Sequence, residues 1–120
     1  MRQWLRQYRR NMRNAPDGLA REKLYRDALG GESRILQTPY GNRQIDALIP
    51  NTNQLVQIKS GGMQYLTTRG RLANQLAIKR DRWLVQQGYR VKWILEGGGS
   101  KPLLKALDDA GIKYRIGPQL

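Results

Sequence analysis

Two apolar runs lie close together in the chain and constrain its fold more than any other feature. They are Arg43-Gln-Ile-Asp-Ala-Leu-Ile-Pro50 and Leu55-Val-Gln-Ile-Lys-Ser-Gly61. Their β-branched content and the turn Pro50-Asn-Thr-Asn53 between them predict adjacent antiparallel strands. Alternation puts Asp46 on one face with Leu48, and Ile45, Ala47 and Ile49 on the other. On the second strand it puts Gln57 and Lys59 on one face with Leu55, and Val56 and Ile58 opposite. Asp46 is therefore a carboxylate inside an apolar strand, which is costly unless it is paired or metal-bound.

The flanking segments read around this pair. Asp17 is placed to cap a helix running to about Leu29, which Gly30-Gly31 stops. A strand at about Ser33–Thr38 and the turn Pro39-Tyr-Gly-Asn42 lead into the first run, giving an antiparallel meander. Helical spacing then predicts a helix over about Arg69–Gln87. It is followed by a strand at Arg90–Leu95, a short helix from Lys101 to about Ala110 and a strand at Ile112–Ile116. The expected class is α/β (α+β), a small mixed sheet flanked by helices with an α-β-β-β-α-β core. Arg80 falls in the middle of the long helix's apolar face, either snorkelling past the core or pointing into a cleft. Asp81, between Arg80 and Arg82, reads as an ion-pair partner of those neighbours.

Residues 16–120 form one predicted domain, since 120 residues suffice for a single core. Residues 1–15 form a separate basic segment, with Arg2, Arg6, Arg9, Arg10 and Arg13 and no acid. No apolar run is long enough to span a membrane, and the basic start lacks the apolar stretch of a signal peptide. With neither Cys nor His, disulfides, thiolate or imidazole metal sites and histidine acid–base catalysis are excluded. Chemistry here must use carboxylates, Lys, Tyr, Ser or a metal held by oxygen.

The net charge of +13 makes polyanions the natural partners. Nucleic acid is the first expectation, and an acidic protein that blocks such a site is electrostatically equivalent. Of nine acids, most look solvated, capping or locally paired, which leaves Glu22 and Asp46. Asp46 and Lys59 admit an ordinary salt bridge. They also admit a metal-assisted phosphodiester-cutting site. In that site Asp46, Gln57 and Glu22 hold a divalent cation, most naturally Mg²⁺, with Mn²⁺ or Zn²⁺ as alternatives. Lys59 then orients water or neutralises the phosphate.

Glu22 on a helix, Asp46 on the second strand and Gln57-Ile-Lys59 on the third resemble the PD-(D/E)XK, or restriction-endonuclease-like, nuclease superfamily. Within it the chain looks most like toxin domains of bacterial contact-dependent growth-inhibition and polymorphic toxin systems. The pieces that carry this are Gly18-Leu-Ala-Arg-Glu22, Leu29-Gly-Gly31, Thr38 to Gly41, Arg43-Gln-Ile-Asp46, Gln57-Ile-Lys-Ser-Gly61, Gly88 with Val91-Lys-Trp-Ile-Leu95, and Leu107-Asp-Asp-Ala-Gly-Ile-Lys-Tyr114. Gln57 stands where the family motif has an acid, which removes one metal-binding charge and places more weight on Glu22. The resemblance implies a metal-dependent endonuclease acting on DNA, or on tRNA, in target bacteria and neutralised by a cognate immunity protein. It implies export as the C-terminal part of a larger effector and action in the target-cell cytoplasm. The rival expectations are a non-catalytic basic nucleic-acid-binding module and a degenerate member inactivated through Gln57.

Further substrate contacts are expected from Ser60 after Lys59 and from Arg69 and Arg71 near the start of the long helix. Gln75 and Lys79, one turn apart on that helix, and Tyr40 in the turn before Asp46 complete the set.

Overall fold

The computed structural model describes residues 18–66 and 72–120. The basic segment at 1–15, Asp17, Arg69 and Arg71 lie outside the described residues. The elements are α1 (Gly18–Leu29), β1 (Glu32–Thr38), β2 (Gly41–Leu48), β3 (Gln54–Lys59), α2 (Leu72–Gln86), β4 (Arg90–Leu95), α3 (Lys101–Asp109) and β5 (Lys113–Ile116). The α-β-β-β-α-β order is present, with a further helix and strand appended. Gly30, at a φ of 65°, ends α1 in the left-handed conformation, and the Gly31 N–H returns to the Arg26 carbonyl at 2.9 Å.

The five strands form one mixed sheet in the order β1-β2-β3-β4-β5. Short turns make β1, β2 and β3 antiparallel neighbours. The crossovers through α2 and α3 bring β4 and β5 back parallel. Alternation along β3 divides the core. Val56 and Ile58 join Tyr25, Ala47 and Ile94 under α1. Leu55 joins Ile45, Trp93, Leu95, Ile78, Leu84, Leu103 and Leu107 on the side of α2 and α3.

β2 departs from simple alternation. Glu32 and Arg34 of β1 oppose Leu48 and Ile45, so two steps on one strand match three on the other. This is a β-bulge across Asp46 and Ala47. Its consequence is that Ile45 packs with Leu55 and Leu48, while Ala47 packs with Val56. Ile45 and Ala47 thus lie on opposite faces, not on a shared one as strict alternation implies.

The partner of Asp81 also differs from the sequence expectation. Asp81 is fully buried and faces the sheet, away from its helical neighbours. It receives both Arg43 Nε at 2.8 Å and Arg43 Nη2 at 3.2 Å, with Trp93 Nε1 at 2.8 Å. Arg80 neither snorkels nor enters a cleft. Its Nε donates to the Tyr40 carbonyl at 2.9 Å, gripping the β1–β2 turn. A Cβ on Gly41 in that turn would lie 2.6 Å from the Arg80 guanidinium, so the turn accepts only glycine there without a shift.

Candidate functional site

The β2–β3 ladder is closed at Ala47–Val56 and Leu48–Leu55. One residue further, side chains replace backbone bonds. The Asp46 N–H donates to Gln57 Oε1 at 3.1 Å, and Gln57 Nε2 donates to the Gln44 carbonyl at 3.2 Å. In return the Ile58 N–H donates to Asp46 Oδ2 at 2.8 Å. The bulge therefore re-aims Asp46 into the gap between the two strands, where its carboxylate and the Gln57 amide satisfy groups that a regular ladder would pair.

Burial raises the Asp46 carboxyl above its ordinary range. The Ile58 N–H and the charges of Lys59, Arg43 and Arg26 oppose the rise. Burial also lowers the Lys59 ammonium, helped by Arg43 and resisted by Asp46, Asp81 and Glu22. Lys59 Nζ sits 4.9 Å from the Trp93 ring centroid, so an aromatic face contributes to holding its charge. No Asp46–Lys59 contact reaches salt-bridge distance. The two groups sense one another electrostatically, each partly dehydrated.

Glu22 on α1 and Lys59 and Ser60 at the end of β3 line one open cleft of about 350 Å³, walled on its far side by Gln64, Ala73 and Asn74. The structure thus brings together Asp46 with Gln57, and Glu22 with Lys59 and Ser60. Tyr40, Gln75 and Lys79 do not line this cleft. Lys79 Nζ instead sits 4.6 Å over the Tyr40 ring, and Gln75 Nε2 donates to the Leu66 carbonyl at 3.0 Å.

The donor chemistry decides which cation fits. Among the described residues no three of His, Cys, Asp and Glu gather into a metal cage. One or two carboxylates with neutral oxygens suit a hard cation that keeps part of its water shell, as Mg²⁺ does. They do not suit a site demanding four protein ligands. Gln57 Oε1 already accepts the Asp46 N–H, and its one remaining lone pair is what it can offer.

Sequence reasoning missed the residues that fix the cleft's two walls relative to each other. Glu96, fully buried, accepts Arg21 Nε at 3.0 Å, a second bond from Arg21 Nη2, and the Tyr25 hydroxyl at 2.6 Å. Its own N–H donates to the Lys59 carbonyl at 3.0 Å. Glu96 therefore ties the helix carrying Glu22 to the strand carrying Lys59. Burial and Glu96 push the Tyr25 hydroxyl up to about 12. The available signal was an acid directly after the apolar end of β4, Trp93-Ile-Leu95, where a charge must find a partner. Gln64 and Asn74 were also missed. The Asn74 amide donates to Gln64 Oε1 at 3.3 Å and to the Tyr65 carbonyl at 2.9 Å. The loop carrying Gln64 crosses the glycine loop so closely that a Cβ on Gly97 would lie 2.4 Å from the Gly62 backbone.

Comparison with known proteins finds no family model, no curated protein and no solved structure that matches this chain. No helix among the described residues is long and apolar enough to cross a membrane.

Proposed function

We propose that this chain is a metal-dependent nuclease of the PD-(D/E)XK kind. One observation carries the reading: Asp46 and Lys59, each partly buried, sit where β2 and β3 part, and Lys59 lines one cleft with Glu22. The α-β-β-β-α-β order and the +13 charge support it. Asp46 and Glu22 would hold the cation, with the Gln57 amide oxygen as a neutral supplement. Bound there, a divalent cation supplies Lewis acidity and a more acidic water. Lys59 keeps a positive charge at the phosphate oxygens, where negative charge accumulates as the phosphodiester is attacked. The Ile58 N–H orients the Asp46 carboxylate and holds one of its oxygens in place. Gln57 fixes the bulge that aims Asp46, so it acts even without a metal contact.

The substrate in this reading is DNA, with tRNA as the alternative. The biological setting is a toxin domain exported as part of a larger bacterial effector, acting in the target cytoplasm and blocked by an acidic immunity protein. Purified protein incubated with plasmid DNA and with total tRNA, in Mg²⁺, Mn²⁺, Zn²⁺ or EDTA, tests it. Metal-dependent cutting of either substrate is expected, and cutting of neither sinks the enzyme reading. The engagement of both polar ends of Gln57 by β2 favours a second reading, a basic module that binds nucleic acid without cutting it. That module would bind in salt-sensitive fashion and leave both substrates intact.

A further inference from the structure

Under α1 the sheet is only partly covered, because that helix packs on β2 and β3. On the same face Ile94 of β4 is buried with Tyr25, and Gln119 and Leu120 return to Tyr25 and Arg21, while the first half of β4 and most of β5 stay exposed. Register fixes what they display. Val56 and Ile58, buried under α1, sit beside Lys92 and Ile94, and Gln54 sits beside Arg90. Lys92 in turn pairs with Lys113, and Ile94 with Arg115. Arg90, Lys92, Lys113 and Arg115 therefore project from one face of two adjacent strands, and all four are exposed.

This arrangement is costly when left alone. Like charges directly across a sheet, as in Lys92–Lys113, repel. None of the four makes a salt bridge with a described acid, whereas Lys23, Arg34, Arg43 and Lys105 each do. Their Cα positions lie about 7 Å apart along a strand and about 5 Å across to the next. Arg115 belongs to the row Ile58–Ile94–Arg115, and Ile58 lines the cleft of Glu22 and Lys59. Two strand spacings, about 10 Å, separate that cleft from the start of the basic plate.

We propose that Arg90, Lys92, Lys113 and Arg115 form an exosite for the phosphodiester backbone of nucleic acid whose neighbouring segment occupies the cleft. The inference rests on the nuclease reading above and names where its substrate is held. Four long cations on a flat pleat read phosphates without reading bases. Arg90, Lys92 and Lys113 also border a cavity of about 580 Å³ with Leu29, Ile49 and Val56, but the row that joins the plate to the cleft of Glu22 and Lys59 favours a polymer of phosphates over an acidic protein.

The test is fluorescence anisotropy in EDTA, with a labelled 30-base-pair DNA duplex in one arm and labelled tRNA in the other, across a salt series. The plate variant carries Arg90→Gln, Lys92→Gln, Lys113→Gln and Arg115→Gln. A charge-matched control carries Lys23→Gln, Arg34→Gln, Lys101→Gln and Lys105→Gln. In the arm that binds, the plate variant should lower the slope of log K against log salt by about 3 to 4, at roughly 0.9 per lost duplex phosphate contact and somewhat less on single strands. The control should leave that slope nearly unchanged. If near-ultraviolet circular dichroism shows the plate variant unfolded, the two double variants, Arg90→Gln with Lys92→Gln and Lys113→Gln with Arg115→Gln, should each lower it by about 2. Equal slopes for parent and plate variants overturn the exosite while leaving the nuclease reading intact. A parent that binds neither probe also overturns the exosite, and the cutting assay then decides the nuclease reading by itself. Binding to poly-glutamate but to neither nucleic acid, lost in the plate variant, overturns the exosite in favour of an acidic protein partner.

Discussion

Asp46 and Gln57 hold each other in place across the gap between β2 and β3. The Asp46 N–H rests on Gln57 Oε1 at 3.1 Å, and the Asp46 carboxylate takes the N–H of Ile58, the residue after Gln57, at 2.8 Å. The bulge in β2 makes this exchange geometrically available, because it removes Asp46 from the regular ladder. The arrangement holds a carboxylate partly buried between two strands, and that has measurable consequences.

Asp46→Asn should stabilise the protein at neutral pH while abolishing cutting. Burial raises the Asp46 carboxyl, so the folded state holds its proton more tightly than the unfolded chain does. Ionised Asp46 therefore subtracts from stability, a loss that grows as pH rises from the ordinary carboxylate range to the higher folded value and is complete above it. Asn keeps an acceptor for the Ile58 N–H and never ionises. The gain should be on the order of 1 kcal/mol at pH 8 and should vanish in acid, where the parent is protonated. Urea melts at pH 8 and pH 4 measure it. A variant less stable at pH 8 would mean that the surrounding cations more than compensate the buried charge.

Gln57→Glu should behave in the opposite way. The substitution removes the donor to the Gln44 carbonyl and puts a second carboxylate beside Asp46 in a site that excludes water. Without metal it should cost about 2–3 kcal/mol. Saturating Mg²⁺ should then raise its melting temperature more than the parent's, because a cation relieves two acids at once. Thermal melts with and without Mg²⁺ decide this, and a variant insensitive to the ion removes Gln57 from the cation's surroundings.

These two residues also show what sequence could and could not disclose. The element order was readable because glycines, short turns and apolar periodicity punctuate the chain at every boundary. That Gln57 and Lys59 share the Leu55 face followed from alternation, and the register with Trp93 and Leu95 agrees. The bulge was not readable, since an inserted residue leaves no mark in a run such as Ile45-Asp-Ala-Leu48. Long-range partners were equally hidden. Arg43 to Asp81 and Arg21 to Glu96 are chosen by how β2, α2, α1 and β4 pack, and nearest neighbours such as Arg80 and Arg82 are decoys.

The pH dependence of cutting should be a bell with both limbs displaced inward. On the acid side the rate should rise as Asp46 ionises, above the ordinary carboxylate value of 3.8. On the alkaline side it should fall as Lys59 loses its proton, below the ordinary 10.5, because burial and Arg43 favour the neutral amine. More Mg²⁺ should move the acid limb to lower pH, since the ion competes with the proton for Asp46. Lys59→Met should lower kcat by roughly 10²–10³-fold and remove the alkaline limb from the residual rate. Profiles of kcat/KM against pH at two Mg²⁺ concentrations supply the check. An alkaline limb that persists in Lys59→Met would assign that proton to another group.

The Glu96 hub should couple stability to the placement of Glu22. Arg21 and Glu96 are both buried, and the C-terminal residues are tied in as well. Arg21 Nη2 donates to the Leu120 carbonyl at 2.9 Å, and the Gln119 N–H donates to the Tyr25 hydroxyl at 2.8 Å. Glu96→Ala leaves a buried guanidinium without its counter-charge and should cost about 3–5 kcal/mol. Arg21→Met should cost a similar amount by stranding Glu96. In the double variant neither charge is orphaned, so the two losses should overlap, with a coupling of about 2–3 kcal/mol in a double-mutant cycle from urea melts. The double variant should also cut more slowly than its stability warrants, because Glu22 follows Arg21 directly on α1 and loses its tie to the strand of Lys59. Additive losses would mean that Arg21 and Glu96 are held by separate partners. A fully active double variant would show that α1 needs only its apolar contacts through Tyr25 to present Glu22 to the cleft.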